Sequence, residues 1–367
     1  MLVPNWTLMR CGLAGGIGDA AGEWQALAGR ALVPSGFNRP EIIGPALKHV
    51  AGARLALVRD DQGLRLALPL CRRSYPLPIQ CNWSSPVNFF GLPHLDADMA
   101  EPAMTALLRM IEVPLILHSV PLAGPFWDML TASAGHFAVL DQWERAGLEI
   151  TGTFEDWFEA NFERKRRKEF RRLQARLAEQ GTLAMKCLAP GADPAPWVEE
   201  FLRLESSGWK GRKGTAIAAD PAAAEALRES SAALAASGLL RFWALELDGA
   251  TIATLYAVVD GDRAWLGKIT HDESLARYSP GALVVLYATE RLFAEPGLAW
   301  VDSCAIPHHP MIDHIWRGRI PVADVIVAAN AAGAMRFHAT VMAERLRRGL
   351  RSAARNAILK ITGRHRA

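Results

Sequence analysis

The residues predict an α/β fold (α+β in the order of its segments) with a mixed central sheet flanked by helices. Half of the 367 residues are hydrophobic and 22% are charged. That is enough apolar material for real cores, and the chain lacks the signature of disorder. Three strand-like runs follow one another at Leu239–Leu247, Thr251–Asp260 and Asp262–Thr270. Asp248-Gly249 joins the first two and Asp260-Gly261 the last two, and such pairs favour the positive φ angles of tight hairpins. Helical patterns lie on both sides of this block, giving the order β-α-α-β-β-β-α-β-β across 182–327.

The length suits two domains of ordinary size. Residues 1–150 read as one α/β unit. Glu23–Leu32 is a short helix, and Arg54–Arg59 and Leu64–Leu70 are strands turned by Asp60-Asp61-Gln62-Gly63. Pro76–Pro93 is an ordered loop with Trp83, Phe89 and Phe90 packed inward. Glu101–Met110 is a helix, and Val113–Val120 and Phe137–Trp143 are strands. Gly12, Gly15, Gly16 and Gly18 suggest a dinucleotide loop, but no strand precedes them.

Residues 151–330 form the second unit. Thr153, with Asp156 three residues on, starts a helix that runs through Asn161 to Leu177 and stops at Gly181. It holds eight Lys or Arg between Arg164 and Arg176, with Phe162, Phe170, Leu173 and Leu177 on one face. Such a face is either solvated or a surface for an anionic partner. Thr182–Leu188 is a strand, Pro194–Ser206 a helix, Gly208–Thr215 a loop, and Pro221–Ser237 a helix. Leu298–Ser303 and Ile320–Val327 are strands after the hairpin block. Residues 331–367 form a basic helical tail, with nine Lys or Arg between Arg336 and Arg366 against the single Glu344.

Five cysteines, far apart in sequence, suggest reduced thiols rather than a disulfide framework. No apolar run is long enough to span a membrane, and the first residues lack a signal-peptide pattern. A cytoplasmic location is expected, with peripheral contact at the inner membrane through the basic tail as its extension. His308, His309 and His314 do not have zinc-ligand spacing, so no metal is expected. The net charge of +3 argues against general coating of nucleic acid.

Tyr278-Ser-Pro-Gly-Ala-Leu283 is the stretch most suggestive of a ligand. Ser279 is suited to cap a helix, Pro280 to its first position, and Gly281 to close backbone approach. The amides that follow would face a phosphate with the helix dipole behind them.

The strand order and four stretches resemble the GNAT acyltransferase domain. These are Arg164–Leu177 ending at Gly181, Ser207-Gly-Trp-Lys-Gly211, Tyr278-Ser-Pro-Gly281, and Asp302-Ser-Cys through Trp316. More narrowly they resemble the CelD/BcsL group linked to cellulose and other exopolysaccharide synthesis, which is akin to the FemAB/FemX transferases. The resemblance implies tandem GNAT-like domains, with 1–150 a degenerate copy and 151–330 intact. It also implies acetyl-CoA as co-substrate, its pantetheine along Ala264–Thr270, including Lys268 and Ile269. The pyrophosphate would lie on Ser279, Gly281, Ala282 and Leu283. Arg277–Ala282 departs from the family's loop in having one glycine, and Pro280 removes an amide.

Acyl transfer to an amine needs a base and a donor for the leaving thiolate. Asp302, His271, Glu246 and Glu205 are the candidate bases, and Tyr278 and Tyr287 the candidate donors. Trp209 and Lys210 could hold a sugar face and a phosphate, with Glu205 and Trp316 beside the substrate. The leading expectation is N-acylation of an amino sugar or a carrier-linked glycan precursor. The alternatives are FemX-like transfer from aminoacyl-tRNA and a non-catalytic factor of an envelope polysaccharide machine.

Overall fold

A computed structural model describes residues 5–11, 17–89, 91–330 and 333–361. Its centre is a 13-stranded mixed sheet. The strands are β1 (Thr7–Cys11), β2 (Arg54–Asp60), β3 (Gly63–Arg73), β4 (Ile79–Asn82), β5 (His94–Leu95), β6 (Leu115–Pro121), β7 (His136–Glu149), β8 (Leu183–Cys187), β9 (Leu240–Leu247), β10 (Ala250–Asp260), β11 (Arg263–His271), β12 (Trp300–Asp302) and β13 (Gly318–Ala328). Their order is β1-β2-β3-β4-β6-β13-β7-β12-β11-β10-β9-β8, with β5 on β3. Among the described residues only β4–β6 and β11–β12 are parallel pairs.

The hairpins form where the turn residues place them. Asp248 and Gly249 have φ of 50° and 80°, and Gly261 has 62°. β9, β10 and β11 then pair as consecutive antiparallel neighbours. Packing beyond the hairpins is non-local. β13, the last strand, lies between β6 and β7 and pairs with β7 from Gly318–Gly147 to Ala328–His136. One continuous sheet therefore includes strands from both ends of the chain.

Helices cover both faces. Pro40–His49 packs against Pro221–Ala236, helping to build a core of Trp24, Phe37, Ile42, Phe201, Leu227, Phe242 and Tyr256. On the other face Pro280–Phe293 and Arg164–Ala178 bury Phe162, Phe170, Val284 and Val285 against Leu255, Ala264 and Val301.

Several expectations change. The basic helix is two helices, Phe154–Asn161 and Arg164–Ala178. Phe162 between them is extended and buried, and the Asn161 amide donates to Ile315 O. Tertiary burial of Phe162 overrides helical propensity there. The loop at 76–93 contains β4, whose residues are all buried. Helices Pro40–His49 and Pro125–Ser133 and strand β1 were not expected. Phe90, Gly12, Gly15 and Gly16 lie outside the described residues. Cys71 and Cys81, ten positions apart, face each other across β3 and β4 as free thiols. The hydrogen bond between the two thiols, and then burial, push Cys81 up, while the same bond lowers Cys71 to about 7.

His94 lies in the core, where its Nδ1 accepts from Trp24 Nε1 at 2.8 Å. Burial, with Arg39 nearby, holds its pKa down to about 3. The unfolded chain takes up this proton near pH 6.5. Below that pH the unfolded state binds more protons, so stability falls as pH drops from 6.5 towards 3. His94→Gln should flatten urea-unfolding stability between pH 7 and 5 by about 2 kcal/mol relative to wild type. Parallel pH profiles for the two proteins would refute the assignment.

Candidate active site

The site is organised by β11. It pairs along its length with β10, but with β12 only at Arg263–Trp300, Ala264–Val301 and Trp265–Asp302. After Asp302 the chain turns away through Ser303–Arg317 to β13. Leu266–His271 therefore has β10 on one side and no β12 pairing on the other. This opening suits an extended ligand hydrogen-bonded to a strand edge.

Within the opening β11 carries a bulge. Leu255 pairs with Ile269 and Ala257 with Leu266, so Tyr256 stands opposite both Gly267 and Lys268. The Tyr256 ring lies where a side chain at 267 would go, since a Cβ there would sit 2.2 Å from it. Glycine is required at 267 for this reason. Phe201 and Phe242 hold the ring from the helix side, with centroids at 5.6 and 5.4 Å. The buried hydroxyl has no hydrogen-bond partner among the described residues. Burial, reinforced by Glu205 and Cys304, pushes its pKa up and keeps it a proton donor.

Glu205, Lys210 and Lys268, three of the residues singled out by sequence, come together beside it. Glu205 is buried, and its Oε1 lies 3.0 Å from Lys210 Nζ and 3.6 Å from Lys268 Nζ. Oε2 accepts the Ile217 amide at 2.7 Å. Lys268 lies over the Phe89 ring at 5.7 Å, and burial lowers its pKa despite Glu205. Glu205 is thus the counter-ion of two lysines and an anchor of the loop at 217, rather than a free base. Trp209 is half exposed at the rim, with Lys213 over its ring at 4.7 Å.

Asp302 ends β12 on the far side of the opening. Arg145 of β7 bonds to Oδ2, and the Cys304 amide donates to Oδ1 at 2.8 Å. Burial, and then Asp302, push the Cys304 thiol up, so it is no nucleophile. Asp302 and Arg145 line a cavity of about 470 Å³ together with Trp265, Trp300, Arg263 and Arg319. Its other wall comes from the first part of the chain, at Val33–Phe37, Gly91–Leu92 and His118–Phe126. Arg145, Trp265, Trp300 and Tyr256 were not singled out by sequence. The residue at 267 held the available signal, a glycine interrupting a strand pattern.

The Ser-Pro-Gly helix start differs from expectation. Ser279 has φ 53° and ψ 50° and makes no side-chain cap. Its carbonyl instead accepts the amides of Ala282 and Leu283 at 3.0 and 3.2 Å. Those two amides are committed within the helix, and the first turn is buried. A Cβ on Gly281 would lie 3.0 Å from His271 Nδ1 and 3.2 Å from Met311 Sδ, so side chains cover this helix end. His271, with its pKa lowered by burial, is half-buried in that contact. Tyr278 is buried in the core with Arg277 4.7 Å over its ring. Ile269 and Leu283 pack in the same core.

Trp316 is a core residue, 1% exposed, with Nε1 donating to Thr289 Oγ1 at 3.0 Å, which corrects its substrate role. Glu246 is paired with Lys186 at 2.6 Å, two strands from β11. Tyr287 lies on the helix under Arg291. His309 Nδ1 accepts the amides of Met311 and Ile312 at 3.3 and 3.4 Å, a local turn contact.

Residues 164–309 match the family model described as an acetyltransferase (GNAT) domain. No curated protein matches the chain. Among solved structures, FemX is similar over 85% of this chain and 96% of its own, at 10% identity and a TM-score of 0.56. The C-terminal domain of an Agrobacterium fabrum protein assigned as a lysylphosphatidylglycerol synthetase is similar over 88% and 96%, at 12% identity and 0.55. A conserved Bacteroides thetaiotaomicron protein of unknown function is similar over 87% and 99%, at 11% identity and 0.53. These likenesses show the fold.

Glu205→Ala should cost about 3–5 kcal/mol in urea unfolding, because it strands Lys268 in a largely buried position. Lys210→Ala, which removes a more exposed partner of a carboxylate that keeps its other contacts, should cost less than half of that. Equal losses would show that Lys268 does not depend on Glu205. The sheet opening at β11 lies within the residues that match the acetyltransferase (GNAT) domain model, and that match supports an acyltransferase.

Proposed function

We propose that the chain transfers an acyl group from acyl-CoA, with acetyl-CoA as the expected donor, to an amine on a glycan precursor. The observation that carries this reading is the opening of β11 directly beside the cavity lined by Trp265 and Asp302. The pantetheine arm adds to the free edge of Leu266–His271. The thioester carbonyl then reaches the bulge at Gly267-Lys268, where the Tyr256 hydroxyl lacks a partner among the described residues. The acceptor occupies the cavity.

The lining supports one acceptor class. Indoles at Trp265 and Trp300 offer apolar faces to a sugar ring, and Arg263 and Arg319 offer charge to a phosphate. Asp302 supplies a carboxylate for an ammonium. This supports an amino sugar on a phosphate-linked carrier, the substrate class suggested by the likeness to CelD/BcsL proteins. Residues 1–150 serve as a degenerate copy that walls the cavity.

The ammonium first gives a proton to cavity water. The neutral amine nitrogen then attacks the thioester carbon, the carbonyl oxygen takes the electron pair, and the C–S bond breaks as the carbonyl re-forms. The CoA thiolate leaves and takes up the second proton shed by nitrogen. Tyr256 donates a hydrogen bond to the developing charge. Held by Arg145, Asp302 orients the amine, whose proton leaves through cavity water.

A second reading has a specific observation behind it. Arg164, Lys165, Arg166, Lys168, Arg171 and Arg176 are exposed on one helix, as a tRNA-borne donor would require. The two separate in a thiol-release assay with acetyl-CoA and glucosamine-containing acceptors. Tyr256→Phe keeps the ring and should lower kcat about a hundredfold with little change in KM for acetyl-CoA. Absence of both acetyl-CoA binding and thiol release, alongside salt-sensitive binding of aminoacyl-tRNA, would replace the first reading with the second.

A further inference from the structure

The C-terminal helix Ala334–Ile361 has its rotation fixed from within. Phe337 and Val341 are buried against Ile79, Ile116 and Ile326. Glu344 is buried and paired with Arg73, Arg347 and Arg348, and Arg348 also reaches Asp324 at 2.7 Å. At 100° per residue, Met335, Met342, Leu346 and Leu350 then fall on the opposite side. They are 86%, 64%, 65% and 63% exposed. These four are half of the eight large hydrophobics exposed among the described residues, and they form one stripe.

The shoulders of this stripe are basic. His338 and Arg345 lie along one side and Arg336 along the other, whereas Arg351 and Arg355, though exposed, lie on the side of Glu344 and away from the stripe. Over 334–361 the helix has seven Lys or Arg, and its single acid, Glu344, faces inward. Its outer surface is therefore apolar in the middle and cationic at both edges, without a carboxylate.

We propose that this face binds an anionic lipid bilayer. Arg336 and Arg345 would meet phosphate headgroups while the Met335–Leu350 stripe enters the boundary between headgroups and acyl chains. Charge decides against a second copy of the chain. Two such helices would set basic shoulders against basic shoulders, whereas helix pairing needs opposite charges there. Nucleic acid would use the arginines but leave the apolar stripe in water. The face shares no residue with the cavity of the proposed acyl-transfer site.

Co-sedimentation of the full chain with phosphatidylcholine vesicles, with and without phosphatidylglycerol, tests this. Binding should require phosphatidylglycerol, weaken at high salt, and fall roughly fivefold for each of Arg336→Gln and Arg345→Gln. Leu346→Glu with Leu350→Glu should reduce it at least tenfold, and these exposed positions should leave the thermal midpoint unchanged. The proposal is overturned if the wild type ignores anionic vesicles or if the double variant binds as wild type. A dimer in sedimentation equilibrium that the double variant dissolves would also overturn it, assigning the stripe to a second copy.

Discussion

The site depends on incomplete pairing between two parallel strands. β12 follows β11 for three residue pairs and then stops. A sheet that paired fully here would satisfy its backbone groups internally and leave nothing for a ligand. The partial pairing gives both a rigid origin at Trp265–Asp302 and a free edge beyond it. The bulge opposite Tyr256 adds local twist where the edge begins, which directs Lys268 towards Glu205. Polar groups in this opening are held in place from outside it: Tyr256 by Phe201 and Phe242, Lys268 by Glu205, Asp302 by Arg145.

The first part of the chain is needed for that arrangement. Arg145 belongs to β7, which pairs with β12 through Trp300–Glu149 and Asp302–Gly147 and then with β13. Gly147 lies at this junction, where a Cβ would come within 2.6 Å of Ile320 and 3.2 Å of Trp300. The close approach lets β7 serve two neighbours in succession. Asp302 is consequently oriented by a residue more than 150 positions earlier, and the cavity exists because segments near 33–37, 91–92 and 118–126 fold back over it.

Local rules made much of the fold legible. Asp-Gly turns fixed the β9–β11 meander, Thr153 does cap its helix through the Asp156 amide, and apolar spacing found Phe170, Leu173 and Leu177. What escaped was set by distant contacts. Nothing near 318–328 announces that this strand inserts between β6 and β7. The Cys71–Cys81 pair is a product of register, and Tyr256 looks like any aromatic in a strand until Gly267 is placed opposite it. Glu205, Lys210 and Lys268 could be singled out individually, but their convergence required the packing of helix Ala195–Ser207 on β11.

The helix start at Ser279 changes how donor recognition should be understood. A phosphate site at a helix end works by offering uncommitted amides. Here Ala282 and Leu283 are turned inward onto the Ser279 carbonyl, Pro280 has no N–H, and His271 and Met311 lie over Gly281. The left-handed backbone of Ser279 brings its carbonyl into that accepting position. Recognition of a CoA thioester would then rest on the strand edge and the bulge, with the pyrophosphate held weakly. Such a donor would bind mainly through its pantetheine arm, so acyl groups carried on other pantetheine-bearing molecules would meet the same edge on similar terms.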